Sequence, residues 1–156
     1  MTWILALVVP IAAGCVHAMM YGNSKDLAKR CEIVLRYLCG GLFGLWLITA
    51  GSFHVLAADS VARYIGWSAG SPFQLELGYA SIGLGLVALR VATTRSADLL
   101  PAWLGGSVLF LGAAIVHAKD MVANGNFSAG NAGPVFYVDI LAPIIACTLW
   151  ILSKRR

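Results

Sequence analysis

The chain has 156 residues, 60% hydrophobic and only 12% charged, with a formal net charge of +4. A soluble domain carries about 25% charged residues, so an ordinary water-soluble globule is excluded and one integral membrane domain over residues 1–156 is implied. The Lys and Arg residues form no run interleaved with aromatics, which excludes a nucleic-acid partner.

A spanning helix needs about 20 predominantly apolar residues. Five stretches meet that length: Trp3 to Tyr21, Ile33 to Ala57, Pro72 to Ala92, Leu99 to Val122, and Pro134 to Leu152. The expected fold is therefore all-α, a polytopic membrane helix bundle of about five transmembrane helices. The opening MTWILALVVP lacks a basic flank, so a retained span with a kink at Pro10 is expected rather than a removable leader. Of the eleven basic residues, Lys25, Lys29, Arg30, Arg36, Arg90, Arg95, Lys154, Arg155 and Arg156 fall at one end of these spans, and only Arg63 and Lys119 at the other. Basic residues in short loops stay cytoplasmic. The N-terminus is expected outside, the C-terminus in the cytoplasm, and the protein in the cell's cytoplasmic (inner) membrane. Cys15, Cys31, Cys39 and Cys147 all fall in the cytoplasmic half, where thiols stay reduced.

Helix contact is expected at small-residue pairs, Gly40 with Gly44 and Ser81 with Gly85, which let backbones approach closely. Trp3 and Trp67 are expected at the outer interface, where indoles are favoured. Residues 58 to 67, ADSVARYIGW, carry Val61, Tyr64 and Ile65 at helical spacing and read as a short helix on the membrane surface. Ser71 precedes Pro72 as a capping residue for the third span. The NGNFSAGNAG loop reads as turns, Asn126-Phe127-Ser128 fits the glycosylation triplet, and Pro134 opens the last span.

The polar residues concentrate at the outer end. Counting inward from the helix ends at 1.5 Å per residue, His54 and Glu76 lie ~6 Å deep, His117 ~5–8 Å and Asp139 ~8 Å. Four helices thus bring two imidazoles and two carboxylates to one level, and ionisable groups at membrane depth mark functional sites. Asp120 stands one turn from His117, and Gln74, Tyr137, Asp59 and Asn131 lie at similar depth as supporting residues. Imidazole with carboxylate on facing bundle helices suits a divalent metal, Zn, Fe or Mn, with His54, Glu76, His117 and Asp139 as ligands. Other readings stay open. One is a metal-free acid/base enzyme or binding site for a lipid-soluble substrate such as an isoprenoid, sterol or quinone. Another is a b-type haem held by His54 and His117, which the neighbouring carboxylates disfavour. The last is an accessory subunit of a larger membrane complex. The lipid bilayer is the expected partner, with a homo-oligomer or larger complex as further partners.

The pieces FHVLAADSVARYIGWSAGSPFQLELG and HAKDMVANGNFSAGNAGPVFYVDILAP resemble a family of small, uncharacterised prokaryotic multi-helix membrane proteins. The resemblance implies a membrane helix bundle and brings no activity.

Overall fold

The structure, a computed structural model, describes residues 2–21, 26–95 and 98–155; Lys25 and Arg156 of the basic cluster lie outside them. Seven α-helices follow in order: α1 (Thr2–Met20), α2 (Leu27–Gly40), α3 (Leu47–Leu56), α4 (Ala58–Ile65), α5 (Phe73–Thr93), α6 (Leu100–Asn124) and α7 (Pro134–Ser153). A π-helical turn, Gly41–Trp46, joins α2 to α3, so Leu27–Leu56 is one continuous span. With it, α1, α5, α6 and α7 make five helices long and apolar enough to cross a membrane. Among the described residues there is no strand.

The second span begins six residues before Ile33, where apolarity alone places it. The Asp26 carboxylate accepts from the amides of Ala28 and Lys29 at 2.9 and 3.3 Å, the arrangement of an N-cap. Glu32 then bridges Lys29 at 2.9 Å and Arg36 at 3.3 Å, pairs one helical turn apart. Arg36 also donates to the carbonyls of Thr94 at 2.7 Å, Ala92 at 3.2 Å and Arg95 at 3.3 Å. A cation thus satisfies the open carbonyls at the end of α5.

This span is the spine of the bundle. Leu35, Leu38, Cys39, Leu42 and Phe43 are wholly buried in the core, where the rings of Phe43 and Phe110 lie 5.5 Å apart. α1 packs antiparallel along its first part, with Gly14 against Val34, Pro10 against Gly41 and Trp3 against Trp46. α1 therefore begins only at the level of Trp46 and leaves α3 uncovered. Trp3 meets a tryptophan there instead of the outer interface, because pairing with the spine sets its depth.

α3 packs most closely on α5. A Cβ built on Gly51 falls 2.6 Å from the carbonyl oxygen of Gly78, and one on Gly78 falls 2.8 Å from that of Gly51. Either methyl group forces the helices apart. Gly44 and Gly85 repeat the contact two turns away. Small residues do hold the helices together, through Gly44 and Gly85 of the expected set and through the unanticipated Gly51–Gly78 pair.

The short helix expected over residues 58 to 67 forms as α4. It crosses the end of the bundle with Ala62 and Ile65 buried beneath it. Gly66 ends it at φ 89°, left-handed backbone that suits glycine. α5 opens one residue later than expected, but the Ser71 hydroxyl still accepts from the Phe73 amide at 3.3 Å. Pro134 is the first residue of α7.

Candidate functional site

Between α3, α5, α6 and α7 the bundle forms a cavity of about 490 Å³ that is partly open to the outside. Its walls are apolar: Leu47 and Ala50 of α3, Leu77 of α5, Leu109, Phe110 and Ala113 of α6, and Val135 of α7, with Trp3 at the floor. Pockets of this size hold small apolar ligands and use few polar groups to orient them. Here the imidazole and carboxyl groups on the wall are His54, His117 and Asp139, and the phenol of Tyr64 lines it with them.

His117 and Asp139 come together. His117 Nε2 and Asp139 Oδ2 stand 3.9 Å apart, both side chains buried. That separation is too long for a hydrogen bond, and Asp139 Oδ2 has no other hydrogen-bond partner. The opposite side of the ring is fixed. Asn131, wholly buried, donates through Nδ2 to the carbonyls of Asn126 at 2.7 Å and His117 at 3.3 Å. This sets its amide so that Oδ1 faces His117 Nδ1 at 2.6 Å. His117 Nδ1 is therefore the protonated nitrogen, and in the neutral ring Nε2 carries the free lone pair toward Asp139 and the cavity.

On the opposite wall His54 Nδ1 pairs with Gln74 Oε1 at 2.5 Å, again through a buried amide. Glu76, expected to face the interior, is exposed. The reason is geometric: residues two apart on a helix point about 200° apart, so burying Gln74 turns Glu76 outward. Glu76 sits in the first turn of α5, where a carboxylate complements the helix dipole.

The supporting residues divide in the same way. Asn131 and Gln74 orient the two histidines. Asp120 makes no hydrogen bond to the His117 ring. Its Oδ2 accepts from Trp67 Nε1 at 2.8 Å and from Asn126 Nδ2 at 2.6 Å, and its Oδ1 from Asn124 at 2.7 Å. Trp67 in turn stacks on His117, with ring centroids 5.9 Å apart and planes 28° apart. Asp120 thus acts on His117 through the indole. Asp59 accepts from the Gly70 amide at 2.9 Å, away from the pair. Tyr137 is exposed and contacts only the Phe136 ring among the described aromatic pairs. Trp67, expected at the lipid interface, belongs to the site; a hydrogen-bond acceptor one turn from His117 was the available signal.

The two loops lock together over the cavity. Besides the Trp67–Asp120 bond, Asn126 Nδ2 donates to the Ile65 carbonyl at 2.9 Å, and the Gly130 amide to that of Tyr64 at 3.2 Å. Asn126 Oδ1 accepts from the Ser128 amide at 3.1 Å. With its side chain thus engaged, Asn126 is not presented for glycosylation.

The donor set can be tested against an ion. Structural and catalytic zinc sites use three or four protein ligands. Among the described residues no group of three His, Cys, Asp or Glu could hold a metal ion: Glu76 is outside, and His54 is bound to an amide on the far wall. The residues do not fit a divalent metal held by all four.

Fold and site together define an all-helical protein with five candidate spans and an apolar cavity that carries a His–Asp pair. The chain belongs to DUF6790, a family of unknown function whose model matches residues 1–156. No curated protein and no solved structure matches it.

Proposed function

We propose that this is a multi-pass protein of the cytoplasmic membrane that binds a hydroxyl-bearing lipophile, of the isoprenoid-alcohol, sterol or hydroquinone type, with its head between His117 and Asp139. The observation that carries the reading is the unpartnered Asp139 Oδ2 facing His117 Nε2 across 3.9 Å on an apolar wall. The two atoms are placed to share one proton, carried by the acid or by the ring. A hydroxyl both donates and accepts, so it bridges the pair in either state, whereas an ether or ketone only accepts. The same pair is suited to take or return a proton from such a hydroxyl.

Binding is measured by isothermal titration calorimetry on protein held in nanodiscs, with geranylgeraniol and its methyl ether as probes. The alcohol is expected to bind about tenfold more tightly, the worth of a hydrogen bond or two in a dry site. Equal binding of the two sinks the reading. A second reading has one observation in its favour: both histidines commit Nδ1 to an amide oxygen and leave Nε2 for an axial ligand, as b-type haem requires. Asp139 in front of Nε2 speaks against it, and a Soret band in the purified protein would put haem in the lipophile's place.

The Lys and Arg distribution supports an outer location for the cavity end. A GFP fused after Arg156 is expected to fluoresce and an alkaline phosphatase fused there to be inactive; the reverse would overturn the orientation.

A further inference from the structure

We propose that the ligand is a chain-bearing lipid taken sideways from the bilayer, its hydrocarbon tail lying in the seam between α5 and α6; this rests on the lipophile reading above. At the far end α5 and α6 touch, with Gly105 against Leu84. Toward the cavity the helices present two facing rows, Phe73, Leu77 and Ser81 on α5 and Val108, Gly112 and Val116 on α6, all of which line the cavity. Each row repeats every four residues, one face of a helix. Several members are also exposed on the outer surface of the bundle: Val108 by 67%, Phe73 by 47% and Val116 by 46%, and Gly112 with them. Residues that belong both to the cavity wall and to the outer surface mark an opening, and this one faces the flank that the spans present to lipid. Access from the loop end is covered by α4 and the 125–133 loop, which are tied by the Trp67–Asp120, Asn126–Ile65 and Gly130–Tyr64 bonds. The seam is continuous with the polar pair at its inner end, and its walls are apolar apart from the small Ser81. It suits a polar head led in from the membrane with a tail left behind, and it does not suit a compact polar solute.

Gly112 is the specificity-determining position. A Cβ added there meets nothing within 4 Å, so a large side chain fills the seam without displacing the helices. Gly112→Phe is tested with geranylgeraniol and with prenol, which has the same head and a single isoprene unit. Affinity for geranylgeraniol is expected to fall about tenfold or more as tail burial is lost, while prenol binds unchanged. Val116→Phe, in the same row, repeats the test should Gly112→Phe fail to yield folded protein by size-exclusion chromatography. Retained geranylgeraniol binding in the folded variant overturns the seam and leaves the head site standing. Equal loss of both alcohols also overturns it, by placing the effect at the head. Wild-type protein that binds neither alcohol removes the head site and the seam together.

Discussion

Replacing Asn131 with leucine is expected to destabilise the protein by about 3 kcal/mol. Asn131 is wholly buried and joins three groups: the ring of His117, the His117 carbonyl and the Asn126 carbonyl. Leucine fills a similar volume but leaves the His117 Nδ1–H and the Asn126 carbonyl without partners. Each buried group left unpaired costs about 1–3 kcal/mol. The His117 carbonyl contributes least, because its bond to Asn131 is the longest of the three at 3.3 Å. For a chain of this size about 3 kcal/mol corresponds to a fall in Tm of roughly 10 °C, read from near-UV circular dichroism in detergent. The 125–133 loop should also become sensitive to limited proteolysis, since Asn131 anchors it to α6. A Tm within about 2 °C of wild type would show that Asn131 does not hold the loop and does not set the His117 ring.

The extent to which this arrangement was legible in the sequence follows from what each signal averages over. Hydropathy sums over a whole span, so all five helices were visible and the ends of the last one agree to within a residue. Depth is equally accessible, because rise per residue is constant; His117 and Asp139 were placed at one level and do meet. Depth carries no information about azimuth. Glu76 shares the level of His54 and still faces outward, since only knowledge of which face α5 turns to α3 distinguishes Gln74 from its neighbour two residues on. That face is set by Gly78 and Gly85 packing on Gly51 and Gly44, a contact that needs the partner helix to be seen. Asn131 sat in a run of Gly and Asn where every residue looks like a turn former, and its role depends on a loop folding back beneath its own helix. Trp67 had two legitimate homes, the lipid interface and the site. The bond from its indole to Asp120, across 53 residues of sequence, ties it to the site. The seam between α5 and α6 was invisible, because it exists only once their relative register is known.

Asp139 variants are expected to separate stability from binding, with opposite signs. The carboxyl is 2% exposed, one of its oxygens has no hydrogen-bond partner, and its surroundings are apolar. A buried polar group without a partner lowers stability by about 1–3 kcal/mol, so Asp139→Leu, which keeps the volume and removes the polar atoms, is expected to stabilise the protein by about 2 kcal/mol. His117 stays oriented, because Asn131 and Trp67 hold it from other directions, and its Nε2 still faces the cavity. Binding should move the other way. Without the carboxyl a hydroxyl has only Nε2 to meet, and the affinity for geranylgeraniol should fall about tenfold with the lost bond. Asp139→Asn supplies the control. Its amide bridges a hydroxyl as donor or acceptor, so most of the affinity for geranylgeraniol should survive, but it cannot exchange a proton with His117. Thermal unfolding and the paired alcohol–ether titration on both variants decide the matter. A stabilised Asp139→Leu that binds geranylgeraniol about tenfold more weakly is the pattern of a group kept for function at the expense of the fold. A destabilised one, by more than about 1 kcal/mol, would mean that Asp139 is a structural partner of His117 and that the gap between them is closed in the working protein.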